Sequence, residues 1–281
     1  MKLRSNWAAG AAAALILMAP MSAPFASEAG GFFRFGDERA EFSHGVAIRW
    51  DDPDRPGSKK LGVVLSAQPL DAASAQGNMR PLDALTGQLS YGDPYLQLSL
   101  EEDGGNFTIS HLFVSPGGFN TSGNGDERIA IEGGRVKGSW KLAPKEFFDK
   151  TYEADFRFDV ALVELTDPGQ PLPAGGAEPG KAYSAYIEAL AKGDVERVKA
   201  AMTESRGWVF AWAEDEKEIA KALESEALHK PVRVTVLGGW IDGDRAQIRV
   251  EGPGRYGGVY AGRVMMVRDG GRWKVDEQNL D

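Results

Sequence analysis

Tyr186, Trp208, Phe210, Trp212, Trp240, Tyr260 and Trp273 all fall between residues 181 and 281, and they are the side chains with the clearest chemistry to offer. A concave wall of such rings suits a flat apolar ligand held by a few polar tips. We take Tyr186, Trp208, Trp212, Trp240 and Tyr260 as the candidate binding set. The competing explanation is core packing, because aromatic rings dominate cores as well. No set of acids, bases or nucleophiles converges beside them, so no catalytic residue is assigned.

Other constellations are weaker. His44 shares an apolar strand face with Phe42 and Val46, and His111 shares one with Phe107, Ile109 and Phe113. Two inward histidines have the chemistry to bind a metal or shuttle a proton. No cysteine, closely spaced third ligand or His-Glu-x-x-His helix accompanies them, so satisfied core histidines explain them better and no metal is expected. The acidic turn Asp51, Asp52 and Asp54, and the pair Asn124 and Asp126, lack the spaced oxygen ladder of a calcium loop. Gly252-Pro253-Gly254-Arg255-Tyr256-Gly257 spells a dinucleotide fingerprint but precedes a strand, so no helix N-terminus waits for a pyrophosphate. It reads as a hairpin loop. No Gly-x-Ser-x-Gly elbow, Ser-x-x-Lys pair or phosphate loop occurs, and no cofactor is expected.

The elements that must position these residues divide into two domains. From Phe32 to Leu165 the pattern has strand period, clearest in Tyr152, Ala154, Phe156, Phe158, Val160 and Leu162 against Glu153, Asp155, Arg157 and Asp159. Leu96, Leu98 and Leu100 alternate likewise, and Phe42 to Trp50 reads as one further strand. Short strands with turn clusters between them predict an all-β sandwich or open barrel over 30–165, interrupted by one short helix between Asp71 and Leu85. Residues 166–180, TDPGQPLPAGGAEPG, read as a Pro/Gly linker.

Residues 181–281 change period. Tyr183, Tyr186, Ile187 and Leu190 form a helical stripe that Gly193 ends. Asp194 caps a second helix carrying Val195, Val198, Ala201 and Met202. A third runs from about Asp215 to Leu228, burying Ile219, Ala220, Leu223 and Ala227. Four strands follow over 232–240, 245–251, 258–268 and 272–276, with Asp242-Gly243 and Gly270-Gly271 as hairpin turns. The prediction is an α+β cone of three helices and a curved four-stranded antiparallel sheet.

The run Ala182-Tyr183-Ser184-Ala185-Tyr186-Ile187-Glu188-Ala189-Leu190 followed by Lys192-Gly193-Asp194, with the closing hairpin Val264 to Asp276, resembles the nuclear-transport-factor-2-like superfamily, whose cone is shared with ketosteroid isomerase. The resemblance covers this domain alone; the first domain is similar only to opening β domains of exported bacterial proteins. It implies a cone and mixes enzymes, ligand binders and interaction modules. An isomerase of this kind needs a carboxylate base facing a tyrosine and a protonated acid. Tyr183 or Tyr186 can fill the tyrosine position, and an isomerase or hydratase pairing Asp276 with Tyr186 is the rival reading. The leading expectation is a non-enzymatic module taking a small apolar ligand or a protein partner into the cone. A homodimer through the C-terminal sheet is a further possibility for this fold.

Lys2 and Arg4, the uncharged run Ala8 to Met18 and the small residues around Ala26 to Ala29 have the layout of a signal peptide over 1–29. The run is too short for a bilayer-spanning helix, so no membrane insertion is expected after cleavage. With no cysteine there is neither a lipid attachment point nor a disulfide, and the expected address is periplasmic or secreted. Residues 28–179 carry 24 Asp and Glu against 14 Lys and Arg, and 180–281 carry 17 against 16. Neither part has the basic stripe that phosphate backbones require, which excludes nucleic acid as an expected partner.

Overall fold

The computed structural model describes residues 28–52, 58–103, 106–115, 119–121 and 126–281; for strand residues 101–103, 106–113, 115, 119, 121 and 126–127 it describes the backbone alone. Asp54 and Asn124, considered above as calcium ligands, lie outside the described residues, as does the signal segment through residue 27.

The amino-terminal strands are β1 (Glu28–Phe35), β2 (Glu38–Phe42), β3 (His44–Asp51), β4 (Lys59–Ser66), β5 (Tyr95–Asp103), β6 (Asn106–Ser115), β7 (Phe119–Thr121), β8 (Asp126–Glu132), β9 (Arg135–Phe147) and β10 (Lys150–Glu164). One layer runs β2-β1-β10-β9-β8 and the other β3-β4-β5-β6-β7. The long β10 belongs to both, antiparallel to β1 and β9 along most of its length and parallel to β3 at Leu162–Glu164. The layers close on a core that includes Phe33, Phe42, Leu65, Leu98, Trp140, Phe156 and Phe158. This is the sandwich expected from the period-2 alternation.

The stretch from Phe42 to Trp50 departs from the single strand expected. A break at Ser43 resets its parity, so Phe42 on β2 and Ala47 on β3 face the sandwich core. Ile48 instead faces outward, beneath α1 (Pro81–Thr86) and the 3₁₀ turn Ala72–Ala75. Both faces of β3 are therefore covered. Gly62 makes the helix fit: a Cβ there would lie 2.5 Å from Leu82 Cδ2. His44 and His111 sit in different rows of the sheet, His44 beside Ser66 and His111 beside Ser99 with β4 and β5 between their strands, so the register holds them apart.

The carboxy-terminal part comprises β11 (Gln170–Leu172), α2 (Ala177–Lys192), α3 (Val195–Ala200), α4 (Trp208–Ala211), α5 (Glu216–Leu228), β12 (Thr235–Asp242), β13 (Arg245–Pro253), β14 (Val259–Asp269) and β15 (Arg272–Leu280). The Gly193 stop and the Asp194 cap are those read from sequence: Gly193 is left-handed at φ 72° and the Asp194 side chain accepts from Arg197 N; Asp215, read as the approximate start of the third helix, is its cap as well, accepting from Glu218 N. The sheet is five-stranded and antiparallel, in chain order. Its extra strand comes from residues read as linker, since Gln170–Leu172 pair with Gly239–Ile241. The prolines there are compatible with strand structure because β11 is an edge.

Two bulges set which side chains face the helices. One lies between Val236 and Gly238, the other between Val275 and Glu277. Each inserts one residue and flips the parity of the rest of its strand. Val236 and Ile248 pack against the helices, whereas Trp240 and Met265 turn to the opposite face and meet Met79 of the first domain.

Candidate functional site

Inside the carboxy-terminal domain, Tyr183 and Tyr186 lie one turn apart on α2, and both have no exposed surface. Their ring centroids are 5.8 Å apart. Tyr183 OH donates to Gln278 Oε1 at 3.0 Å, and Tyr186 OH donates to Glu226 Oε1 at 2.6 Å. Gln278 Nε2 donates to Glu226 Oε1 at 3.3 Å. Arg206 Nη2 donates to both Glu226 oxygens, at 2.8 and 3.0 Å. Lys230 Nζ stands 3.9 Å from the same carboxylate. A buried carboxylate is thus ringed by a phenol, an amide and two cations.

The electrostatics follow from burial. Burial and the neighbouring Glu226 charge push both the Tyr183 and Tyr186 phenols well above the ordinary tyrosine value, so both stay neutral donors. Burial works against the Arg206 charge, but the Glu226 carboxylate it hydrogen-bonds outweighs that and raises the guanidinium above its usual value. Burial lowers Lys230, with Glu226 opposing and Arg206 assisting.

This arrangement ties elements together rather than presenting a reactive group. A general base needs a lone pair directed at a substrate proton. Here Glu226 is occupied by Tyr186, Gln278 and Arg206. The cluster instead joins α2, α5, β15 and the segment before α4 at one point.

Asp276 takes a different place from the one the rival reading needs. It lies in the second bulge and accepts from Thr203 Oγ1 at 2.8 Å and Ser205 Oγ at 3.3 Å. Thr203 Oγ1 in turn accepts from Arg206 N at 3.3 Å, so Asp276 helps seat the arginine without meeting Tyr186. Because of the bulge, Gln278 is the β15 residue that reaches the tyrosines.

The five candidate binding residues do not form one wall. Tyr186 is buried in the cluster, and Trp240 is buried on the far side of the sheet. Trp208, which opens α4, and Trp212, the residue just past its end, stand 62% and 79% exposed, while Phe210 between them enters the core. Tyr260 is half-buried at the start of β14, its hydroxyl 3.5 Å from Leu228 O.

Arg206, Glu226 and Gln278 were not among the residues singled out from sequence. Glu226 left a signal: it follows Leu223 by three positions and precedes Ala227, so it lies on the apolar stripe of α5. A charge on a buried stripe asks for a partner. Gln278 left none, since its inward direction depends on the bulge. Among the described residues, no group of three His, Asp or Glu is placed to hold a metal ion.

No family model matches this chain, and no curated protein matches it. A solved structure from Campylobacter jejuni, described as an NTF2-like transpeptidase, is similar to part of it. The likeness has 17% identity, covers 36% of this chain and 100% of the other, and has a TM-score of 0.27.

Proposed function

We propose that the protein is an exported, non-enzymatic binding module whose C-terminal domain takes a small apolar ligand on the exposed face of α4. The observation that carries this reading is the contrast between the fully buried Tyr183–Tyr186 pair and the exposed Trp208 and Trp212. Tyr183 and Tyr186 have no exposed surface and satisfied hydroxyls, whereas the indoles of Trp208 and Trp212, at the start and just past the end of α4, are 62% and 79% exposed. Large exposed rings supply apolar area with little conformational cost. Tyr186 and the far-side Trp240 then serve as framework for the site. Export is supported by the sequence of the first 29 residues.

The isomerase or hydratase reading has less behind it. Its carboxylate, Asp276, serves two hydroxyls away from Tyr186, and Glu226 is engaged by its neighbours.

Nile red, a neutral apolar dye, tests the proposal. Its emission is expected to rise and shift to the blue with the native protein, and Trp208→Ala/Trp212→Ala is expected to weaken binding at least tenfold. Equal binding by the double variant would refute the site.

A further inference from the structure

Two hairpin turns lie side by side at one end of the first domain. Phe35 pairs with Glu38 around Gly36-Asp37, and Phe147 pairs with Lys150 around Phe148-Asp149. Gly36 N donates to Thr151 O at 2.8 Å, which sets one turn against the other. Each turn has a positive φ at its first residue, 59° at Gly36 and 55° at Phe148. Glycine takes that conformation freely, whereas a bulky aromatic residue meets steric resistance. Among the described residues, every other positive φ belongs to glycine except that of Ala177. The fold therefore favours glycine at position 148, yet a phenylalanine stands there, 91% exposed. Strain of this kind at a residue that packs on little points to a contact outside the chain.

The strands leading to Phe148 leave the body of the sandwich. Every residue from 143 to 151 is exposed, on both faces of the hairpin. At its root Ala143 and Pro144 stand opposite Glu153 alone, a bulge that redirects the strand. The Phe147 ring lies 4.8 Å from that of Phe148 and 6.4 Å from those of Phe35 and Tyr152. Tyr152 belongs to the core, so rings run unbroken from the core to the tip. Lys145, Glu146, Asp149 and Lys150 surround the exposed rings with two charges of each sign. Behind this neutral tip the domain is acidic, with 24 Asp and Glu against 14 Lys and Arg over residues 28–179.

Two rings on a narrow arm cover far less than the roughly 1,000 Å² that a stable interface between proteins, or between two copies of this chain, needs. A bilayer sets no such threshold, because each ring gains by entering the headgroup layer. A rim carrying both signs also matches headgroups that carry both. We propose that the Phe147–Phe148 tip seats the first domain on a zwitterionic lipid surface. The rings enter the headgroup layer and the four charged side chains stay among the headgroups. The carboxylates behind the tip turn it away from anionic bilayers. The contact is peripheral, spans nothing, and stands or falls independently of the α4 tryptophans.

The test is flotation of the purified protein with phosphatidylcholine vesicles, and with vesicles in which about one third of the lipid is phosphatidylglycerol. Half-binding to phosphatidylcholine is expected near 1 mM lipid, roughly tenfold weaker than a single myristoyl chain achieves. The anionic vesicles should bind at least threefold more weakly in dilute buffer. Phe147→Ser/Phe148→Gly should weaken flotation at least fivefold, and Tyr91→Ser, which removes an exposed ring elsewhere in the domain, should leave it unchanged. Phe148→Gly alone separates contact from folding. It should weaken flotation and yet raise the urea midpoint, because glycine relieves the backbone at φ 55°. The proposal is overturned if phosphatidylcholine vesicles leave the protein behind, if anionic vesicles bind it as tightly, if the tip variants float unchanged, or if Phe148→Gly lowers the midpoint. Capture of the tip by a protein while the vesicles stay bare would overturn it equally.

Discussion

Tyr186 OH and Glu226 Oε1 lie 2.6 Å apart, and that bond fastens the first long helix of the C-terminal domain to the end of its last. Arg206 completes it from the other side of the carboxylate. Hydrogen bonds to charged groups contribute about 1.5–3 kcal/mol each, so this point matters more to stability than the neutral contacts around it.

Glu226→Gln keeps the shape but leaves Arg206 and Lys230 without their counter-charge. Breaking a buried pair from one side costs about 3–5 kcal/mol. With the Arg206 side chain 26% exposed, the lower end is expected, about 3 kcal/mol by urea denaturation. The apolar double variant Arg206→Met/Glu226→Leu should recover most of that loss, to within about 1.5 kcal/mol of the native protein.

The domain contact gives a second expectation. Met79→Ala removes a side chain that is 3% exposed between Trp240 and Met265. Truncations of this kind cost about 2–5 kcal/mol. Here the loss should fall on the coupling between domains, so calorimetry is expected to show the unfolding endotherm divide into two.

Gly239 carries a different kind of constraint. It has φ 156°, and a Cβ there would overlap the Gln247 carbonyl oxygen across the β12–β13 pair. Gly239→Ala should therefore destabilise by about 3 kcal/mol or more in a chemical denaturation curve. Gly243→Ala has open space around its Cβ position and pays only for φ 55°, roughly 1 kcal/mol.

Much of this architecture was legible in local chemistry. Gly193-Asp194 and Asp215 fixed the helix boundaries through their own side chains and dihedrals, and Asp242-Gly243 and Gly270-Gly271 marked the hairpins. Two of the misplacements share one cause. A single inserted residue, Leu237 in β12 or Asp276 in β15, reverses every later side chain, and neither residue advertises a bulge. That sent Trp240 to the domain contact and brought in Gln278 where Asp276 had been considered. The strand β11 escaped notice because its pairing is tertiary, made by prolines and glycines that locally favour a linker.

Trp208 and Trp212 should behave as surface residues. Their double replacement by alanine is expected to leave stability within about 0.5 kcal/mol while removing most of the acrylamide-accessible fluorescence. A large loss of stability would mean the α4 face is core rather than a binding surface.

The burial of Tyr183 and Tyr186 is tested most directly by alkaline titration at 295 nm, followed together with circular dichroism. Tyr183 and Tyr186 have folded-state values raised above the ordinary 10.0. Such groups contribute stability fully below that value and lose it as pH climbs through their folded-state value, because the native form holds its protons longer. Of the seven tyrosines, two are expected to ionise only in the step that unfolds the domain, and Tyr183→Phe/Tyr186→Phe should remove that step. Ionisation of all seven while the circular dichroism remains native would show an interior open to water, and would contradict the account.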